Sequence, residues 1–148
     1  MAAEIMERLR LMAGSDVFVP EFTWQHRRID AVIVDVHRRR VRGFEVKVTR
    51  SDFLHDTKWT DYAEFCSTLA IVCPEGLIDP SEVGDPFGVL YMTPTTTRWA
   101  KRAKEMQTRT SLAWLYTYVG VIEREFPRLV FELETVRREL SVARERAS

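Results

Sequence analysis

Between residues 3 and 13, Ile5, Leu9 and Met12 recur at helical spacing with charges between them, and Gly14 stands where such a helix would stop. The pattern predicts a first amphipathic helix. Val17 to Trp24 is dense in β-branched and aromatic residues, and Arg28 to His37 and Val41 to Thr49 are two further strand-like runs around a tight, arginine-rich turn. Ser51 offers a cap, and Trp59, Tyr62, Ala63, Cys66 and Leu69 recur at three and four residues, so a second helix is predicted from Ser51 to about residue 67. Leu69 to Cys73 then reads as a short apolar strand. Residues 74 to 87, with Pro74, Pro80, Pro86, Gly76 and Gly84 among acidic residues, read as a surface loop. Gly88 to Met92 predicts one more strand, and Thr95 to Thr97 a cap for a helix starting near Arg98. From Ser111 onward the pattern is helical. Leu112, Leu115, Val119, Ile122, Phe126, Leu129, Leu133, Val136 and Leu140 form a stripe close to a 3.5-residue period, with Pro127 expected to stop or kink the helix.

This order of elements predicts an α/β fold with a mixed central sheet in a three-layer α-β-β-β-α-β core. The predicted domain covers residues 1–107, and a helical C-terminal extension, 108–148, packs on the core or serves a homodimer. At 148 residues, 45% hydrophobic and 30% charged, the composition is that of one globular domain large enough to bury its own core. The longest apolar runs fall far short of the roughly 20 residues that span a bilayer, and Glu4, Glu7, Arg8 and Arg10 spoil a signal-peptide pattern. A cytoplasmic protein, bacterial or phage-encoded, without a membrane partner is expected. Cys66 and Cys73 lack metal-site spacing and are read as buried thiols.

The formal net charge of zero conceals an uneven distribution. Lys and Arg outnumber Asp and Glu by ten to seven in residues 1–50 and eleven to seven in 98–148, but are outnumbered eight to one in 51–97. The basic first third holds Arg27, Arg28, Arg38, Arg39, Arg40 and Arg42, whose guanidinium forks match phosphate oxygens. Either a phosphate backbone or plain solvent would suit such a cluster.

Three charges stand inside apolar strands: Asp30 in Ile29–Val34, and Glu45 and Lys47 in Gly43–Val48. Strand alternation puts Glu45 and Lys47 on one face, with Phe44, Val46 and Val48 on the other. A hairpin centred near Arg39 pairs positions summing to about 78, which sets Asp30 opposite Val48 and one step from Lys47; a one-residue slip would exchange its face. Two converging carboxylates suit Mg²⁺ or Mn²⁺, and a neighbouring ammonium can orient water and oppose charge growing on a phosphate. That is the chemistry of phosphodiester hydrolysis. The bland alternative is a charged cross-strand face. His26, His37 and His55 read as isolated surface residues, and no motif for acyl transfer or nucleotide binding is present.

The helix, the strands bearing Asp30 and Glu45-Val46-Lys47, and the helix and strand that follow resemble the PD-(D/E)XK nuclease superfamily over roughly residues 3 to 75. Pro20-Glu21, Arg28-Ile29-Asp30, Phe44-Glu45-Val46-Lys47, Asp52-Phe53, Asp56, Lys58-Trp59, Tyr62 and Cys66 are similar to the bacterial MmcB-like family, linked to DNA repair, and the likeness extends more weakly from Leu77 to about Lys104. Glu45 to Thr49 also resembles archaeal Holliday-junction resolvases of the same superfamily. The resemblance implies a restriction-endonuclease-like core and a divalent-metal-dependent deoxyribonuclease, with Asp30 and Glu45 as metal ligands and Lys47 positioning water. It implies a further acid, for which Glu4, Glu7 and Glu21 are available, and a site wall at Lys58, Trp59 and Tyr62. Arg27, Arg28 and the Arg38–Arg42 cluster then become contacts to the DNA backbone. The alternatives are a catalytically inactive nuclease-fold module that binds DNA or protein, and an oligomerising component of a DNA-repair or phage assembly.

Overall fold

The computed structural model describes residues 1–24, 26–35, 37–106 and 126–147. In chain order these form helix α1 (Ala2–Ala13), strands β1 (Val17–Trp24), β2 (Arg27–Asp35) and β3 (Arg40–Val46), helix α2 (Arg50–His55), a 3-10 turn at Trp59–Glu64, strand β4 (Thr68–Pro74), a short 3-10 turn at Pro80–Glu82, strands β5 (Gly88–Met92) and β6 (Thr97–Lys101), and helix α3 (Pro127–Ala147). The six strands make one sheet in chain order. Neighbours are antiparallel from β1 to β3, parallel from β3 to β5, and antiparallel at β6. Parallel neighbours require a crossover, and the segment carrying α2 and the Trp59–Glu64 turn supplies the one from β3 to β4.

Each face of the sheet carries its own apolar layer. Ile5 and Leu9 of α1 are fully buried against Ala31, Ile33, Phe44, Ala70, Val72 and Leu90. Each contributes roughly 2 kcal/mol through apolar area removed from water. On the other face Val19, Val32, Ile71 and Val89 meet Trp59, Phe65, Cys66, Ile78 and Val83. The result is the expected three-layer mixed α/β arrangement. Arg8 ties α1 to the far edge by donating to the carbonyls of Thr93, Pro94 and Thr96. Among the described residues, no helix is long and apolar enough to cross a membrane.

Several local expectations are corrected. The second helix does not run to residue 67. It begins after Thr49, whose Oγ1 accepts the Asp52 N–H at 3.1 Å, and it ends at Asp56, whose backbone turns extended. Trp59, Tyr62 and Phe65 keep a common inward face because a 3-10 turn repeats every three residues, which imitates helical spacing in the sequence. The helix expected near Arg98 is strand β6. The threonines close a turn, with Thr93 Oγ1 accepting the Thr96 N–H at 3.0 Å, and Thr97, Arg98 and Trp99 pair with Met92, Tyr91 and Leu90. Pro127, expected to stop or kink a helix, is the first residue of α3, where its fixed φ and missing N–H are tolerated, and residues 107–125 before it lie outside the described residues. Leu112, Leu115, Val119 and Ile122 of the predicted stripe lie outside the described residues, while Val136 and Leu140 are exposed on α3.

Candidate active site

The register of β2 and β3 decides where Asp30 lies. Pairing runs from Asp35↔Arg40 to Ala31↔Phe44, so paired positions sum to 75, three fewer than the sequence suggested. An odd displacement exchanges faces. Continued by one step, the ladder sets Asp30 in line with Glu45 and not with Val48. Regular pairing stops at Ala31, and Asp30 Oδ2 accepts the backbone N–H of Val46 at 2.7 Å. The carboxylate thus takes over a main-chain donor at the end of β3.

Alternation also reverses at this point. Val19 and Phe22 of β1 both pack into the α2-side layer, as do Ile29 and Val32 of β2, although each pair is separated by an odd step. The pairs Pro20↔Ala31 and Phe22↔Ile29 bracket Glu21 and Asp30, and Glu21 has a left-handed backbone with φ 50°. For a non-glycine residue this conformation is strained, and its position opposite Asp30 locates the reversal. Asp30 consequently borders two depressions. One, of about 420 Å³, lies against Ala2 and Met6 of α1. The other is a cleft of about 600 Å³ shared with Glu45, Lys47, Asp52, His55, Asp56, Thr57 and Lys58.

Glu45 and Lys47 face the α2 side, and Phe44, Val46 and Val48 face α1, as alternation predicts. Both charged residues are buried, at 7% and 5% exposure. Lys47 Nζ donates to Glu45 Oε1 at 3.2 Å and to Asp56 Oδ2 at 2.5 Å. Glu45 Oε2 is buried with no hydrogen-bond partner. Burial, then the negative charge of Asp30, pushes the Glu45 carboxyl up to about 7 despite Lys47. Burial works against the Lys47 ammonium, but its bonds to Asp56 and Glu45 outweigh that and raise its pKa. Burial likewise opposes ionisation of Asp56, yet Lys47 and the Lys58 N–H hold its carboxyl below the usual range.

This arrangement fits a divalent cation. Asp30 and Glu45 supply hard oxygen donors, Glu45 Oε2 is desolvated and unmatched, and two facing carboxylates gain from a positive charge between them. Among the described residues, no group of three or more His, Cys, Asp and Glu is placed to hold a metal ion, so the fit rests on these two carboxylates. An open two-carboxylate site suits Mg²⁺ or Mn²⁺, which retain positions for water and phosphate oxygen.

The other residues singled out in the sequence divide. Glu21 borders the α1-side depression beside Asp30. Glu4 is held by Arg8 at 2.6 Å and Glu7 by Arg10 at 2.6 Å, and neither lines the cleft. Lys58 lines the cleft, whereas Trp59 is core, 4.8 Å edge-on from the ring of Phe87. The Tyr62 hydroxyl donates to Arg28 O at 2.5 Å, and burial with the charges of Glu45, Asp56 and Asp30 raises its pKa. The arginines separate into two groups. Arg27 and Arg28, near Asp30, pair with Asp61 and Glu21. Arg38, Arg40 and Arg42 sit toward the opposite end of the hairpin, paired with Asp35, Glu105 and Asp16. His26, His37 and His55 are all exposed, and His55 also lines the cleft, with its Nδ1 2.8 Å from Ser51 O. Asp56 belongs to the MmcB-like pattern but has no site role in the sequence reading. A second signal is an acid at a helix C-terminus, where the helix dipole disfavours negative charge. Cys66 and Cys73 are buried free thiols, as expected, and burial raises both pKa values.

No family model and no curated protein matches the chain. Its fold is similar to a solved structure of a protein of unknown function from Silicibacter pomeroyi, with a TM-score of 0.69, 21% sequence identity and 85% coverage of each chain. That likeness concerns the fold alone.

Proposed function

We propose that the protein is a divalent-metal-dependent deoxyribonuclease of the PD-(D/E)XK type, nearest in pattern to the MmcB-like DNA-repair family. The observation that carries this reading is the convergence of Asp30, Glu45 and Lys47 on one cleft, with Glu45 Oε2 buried and unpartnered. Asp30 and Glu45 would hold Mg²⁺ or Mn²⁺, which when bound lowers the pKa of water and offsets charge on the phosphate. Lys47 orients the attacking water and opposes the negative charge that grows on the non-bridging oxygens. The water oxygen bonds to phosphorus, one bridging P–O bond breaks, and the leaving oxygen takes up a proton. Arg27 and Arg28, at the Asp30 end of the sheet, are the arginines suited to contact a DNA backbone beside the scissile phosphate.

The test is cleavage of single-stranded, duplex, flap, forked and four-way-junction DNA with Mg²⁺ or Mn²⁺. Wild type is compared with Lys47→Ala and Glu45→Ala, each shown to be folded by circular dichroism. Loss of cleavage in both variants supports the site. Absence of both cleavage and calorimetric metal binding in wild type would replace it with a non-catalytic binding module.

A further inference from the structure

The Lys47 side chain is held from two sides. Its ammonium has three N–H donors. One is engaged by Glu45 Oε1 at 3.2 Å and another by Asp56 Oδ2 at 2.5 Å. Glu45 lies two residues before Lys47 on the same stretch of chain, so it cannot by itself fix the ammonium relative to the rest of the cleft. Asp56 comes from a separate element. The chain leaves β3, starts α2 under the Thr49 cap, and stops after six residues, which returns a carboxylate to the end of the strand it has just left. The carboxylate is anchored in turn: Asp56 Oδ1 accepts the Lys58 N–H at 3.0 Å, and the Asp56 N–H donates to Asp52 O at 3.2 Å. With two donors fixed, the direction of the third is set.

We propose that Asp56 is the positioning residue for Lys47, aiming its remaining N–H at the water or phosphate oxygen in the cleft. This rests on reading Asp30, Glu45 and Lys47 as a nuclease site. The role also accounts for the interruption of α2. A helix continued through residue 67 would carry Asp56 onward with its axis, whereas the extended backbone at Asp56 leaves the carboxylate beside Lys47.

Asp56→Asn is the first variant. Its amide retains one acceptor oxygen where the carboxylate has two, so either Lys47 Nζ or the Lys58 N–H faces an NH2 group. Asp56→Ser is the second; its hydroxyl can still accept from the Lys58 N–H while being too short to serve Lys47. Two readouts are taken on folded protein. The first is the ¹⁵N–¹H spectrum of lysine ammonium groups, in which the Lys47 signal is assigned by its loss in Lys47→Met. The second is steady-state cleavage of the best DNA from the panel above. The expected result is a slowly exchanging Lys47 ammonium signal in wild type that is weakened in Asp56→Asn and lost in Asp56→Ser, with kcat lowered by about 100-fold in Asp56→Ser and KM little changed. A Lys47 signal unchanged in folded Asp56→Ser, or an unchanged kcat there, would overturn the proposal. If wild type cleaves no DNA, the nuclease reading fails and the ammonium spectrum alone decides whether Asp56 holds Lys47. If neither variant folds, the coupling across the hydrogen bond between Lys47 ¹⁵Nζ and Asp56 ¹³Cγ in wild type decides: a resolved coupling supports the proposal and its absence overturns it.

Discussion

Asp30 Oδ2 accepts the Val46 N–H at 2.7 Å, so a carboxylate one residue past the last regular pair on β2 satisfies a main-chain donor two residues past it on β3. The group proposed to bind metal therefore also secures the strand carrying Glu45. Asp30→Asn keeps an acceptor oxygen for Val46 and should melt close to wild type while losing Mn²⁺ binding by calorimetry. Asp30→Ala removes both functions and should also lose about 1–2 kcal/mol of stability in urea titrations. Equal stability of the two variants would show that the Val46 bond contributes nothing.

Glu45 makes the metal-free protein sensitive to pH. Its carboxyl is raised to about 7 in the folded state, so folding favours its protonated form. That contribution is fully present below the ordinary pKa of 4.5 and is lost as pH rises through 7. In EDTA, wild type should lose up to about 3 kcal/mol relative to Glu45→Gln between pH 4 and pH 8. Added Mg²⁺ should then raise the wild-type melting temperature more at pH 8 than at pH 5.5. Differential scanning calorimetry checks both, and parallel pH curves for the two proteins would contradict the reading.

Gly43 is required by close packing. A Cβ at this position would lie 2.5 Å from Cys66 Sγ and 2.9 Å from Ile29 Cδ1, both in the buried core. Gly43→Ala should destabilise the protein by about 1–3 kcal/mol in urea unfolding. Because Sγ is the nearest atom, Cys66→Ala should relieve part of that loss, and the double-mutant cycle should show coupling above about 0.5 kcal/mol.

The arginines should differ in their effect on DNA binding. Asp30 and Asp35 stand five residues apart on β2, a rise of roughly 16 Å, so the Arg38–Arg42 end of the hairpin is remote from the cleft. Replacing Arg27 and Arg28 together by Ala should weaken binding to duplex DNA and reduce the salt slope by about one to two. Replacing Arg38 and Arg39 should do less. Fluorescence anisotropy across a salt series distinguishes them, and equal effects would place DNA along the whole hairpin.

The sequence by itself determined the features that depend on short-range periodicity. The apolar spacing of Ile5 and Leu9 dictated α1, and the β-branched runs dictated the strands. Alternation dictated that Glu45 and Lys47 share a face opposite Phe44 and Val46. It also made the buried charges conspicuous, because Asp30, Glu45 and Lys47 interrupt strands that are otherwise apolar. Tertiary structure decided what depends on long-range pairing. The β2–β3 register is a competition between whole ladders, and its odd displacement, together with the reversal at Glu21 and Asp30, set the face of Asp30. A 3-10 turn and a helix share nearly the same apolar spacing, so only packing against the sheet revealed the break at Asp56. Thr97 to Lys101 became a strand because β5 offered an edge to pair with, which no local propensity records. The membership of Asp56 in the site followed from that break, since a carboxylate nine residues from Lys47 meets it only when the chain turns back.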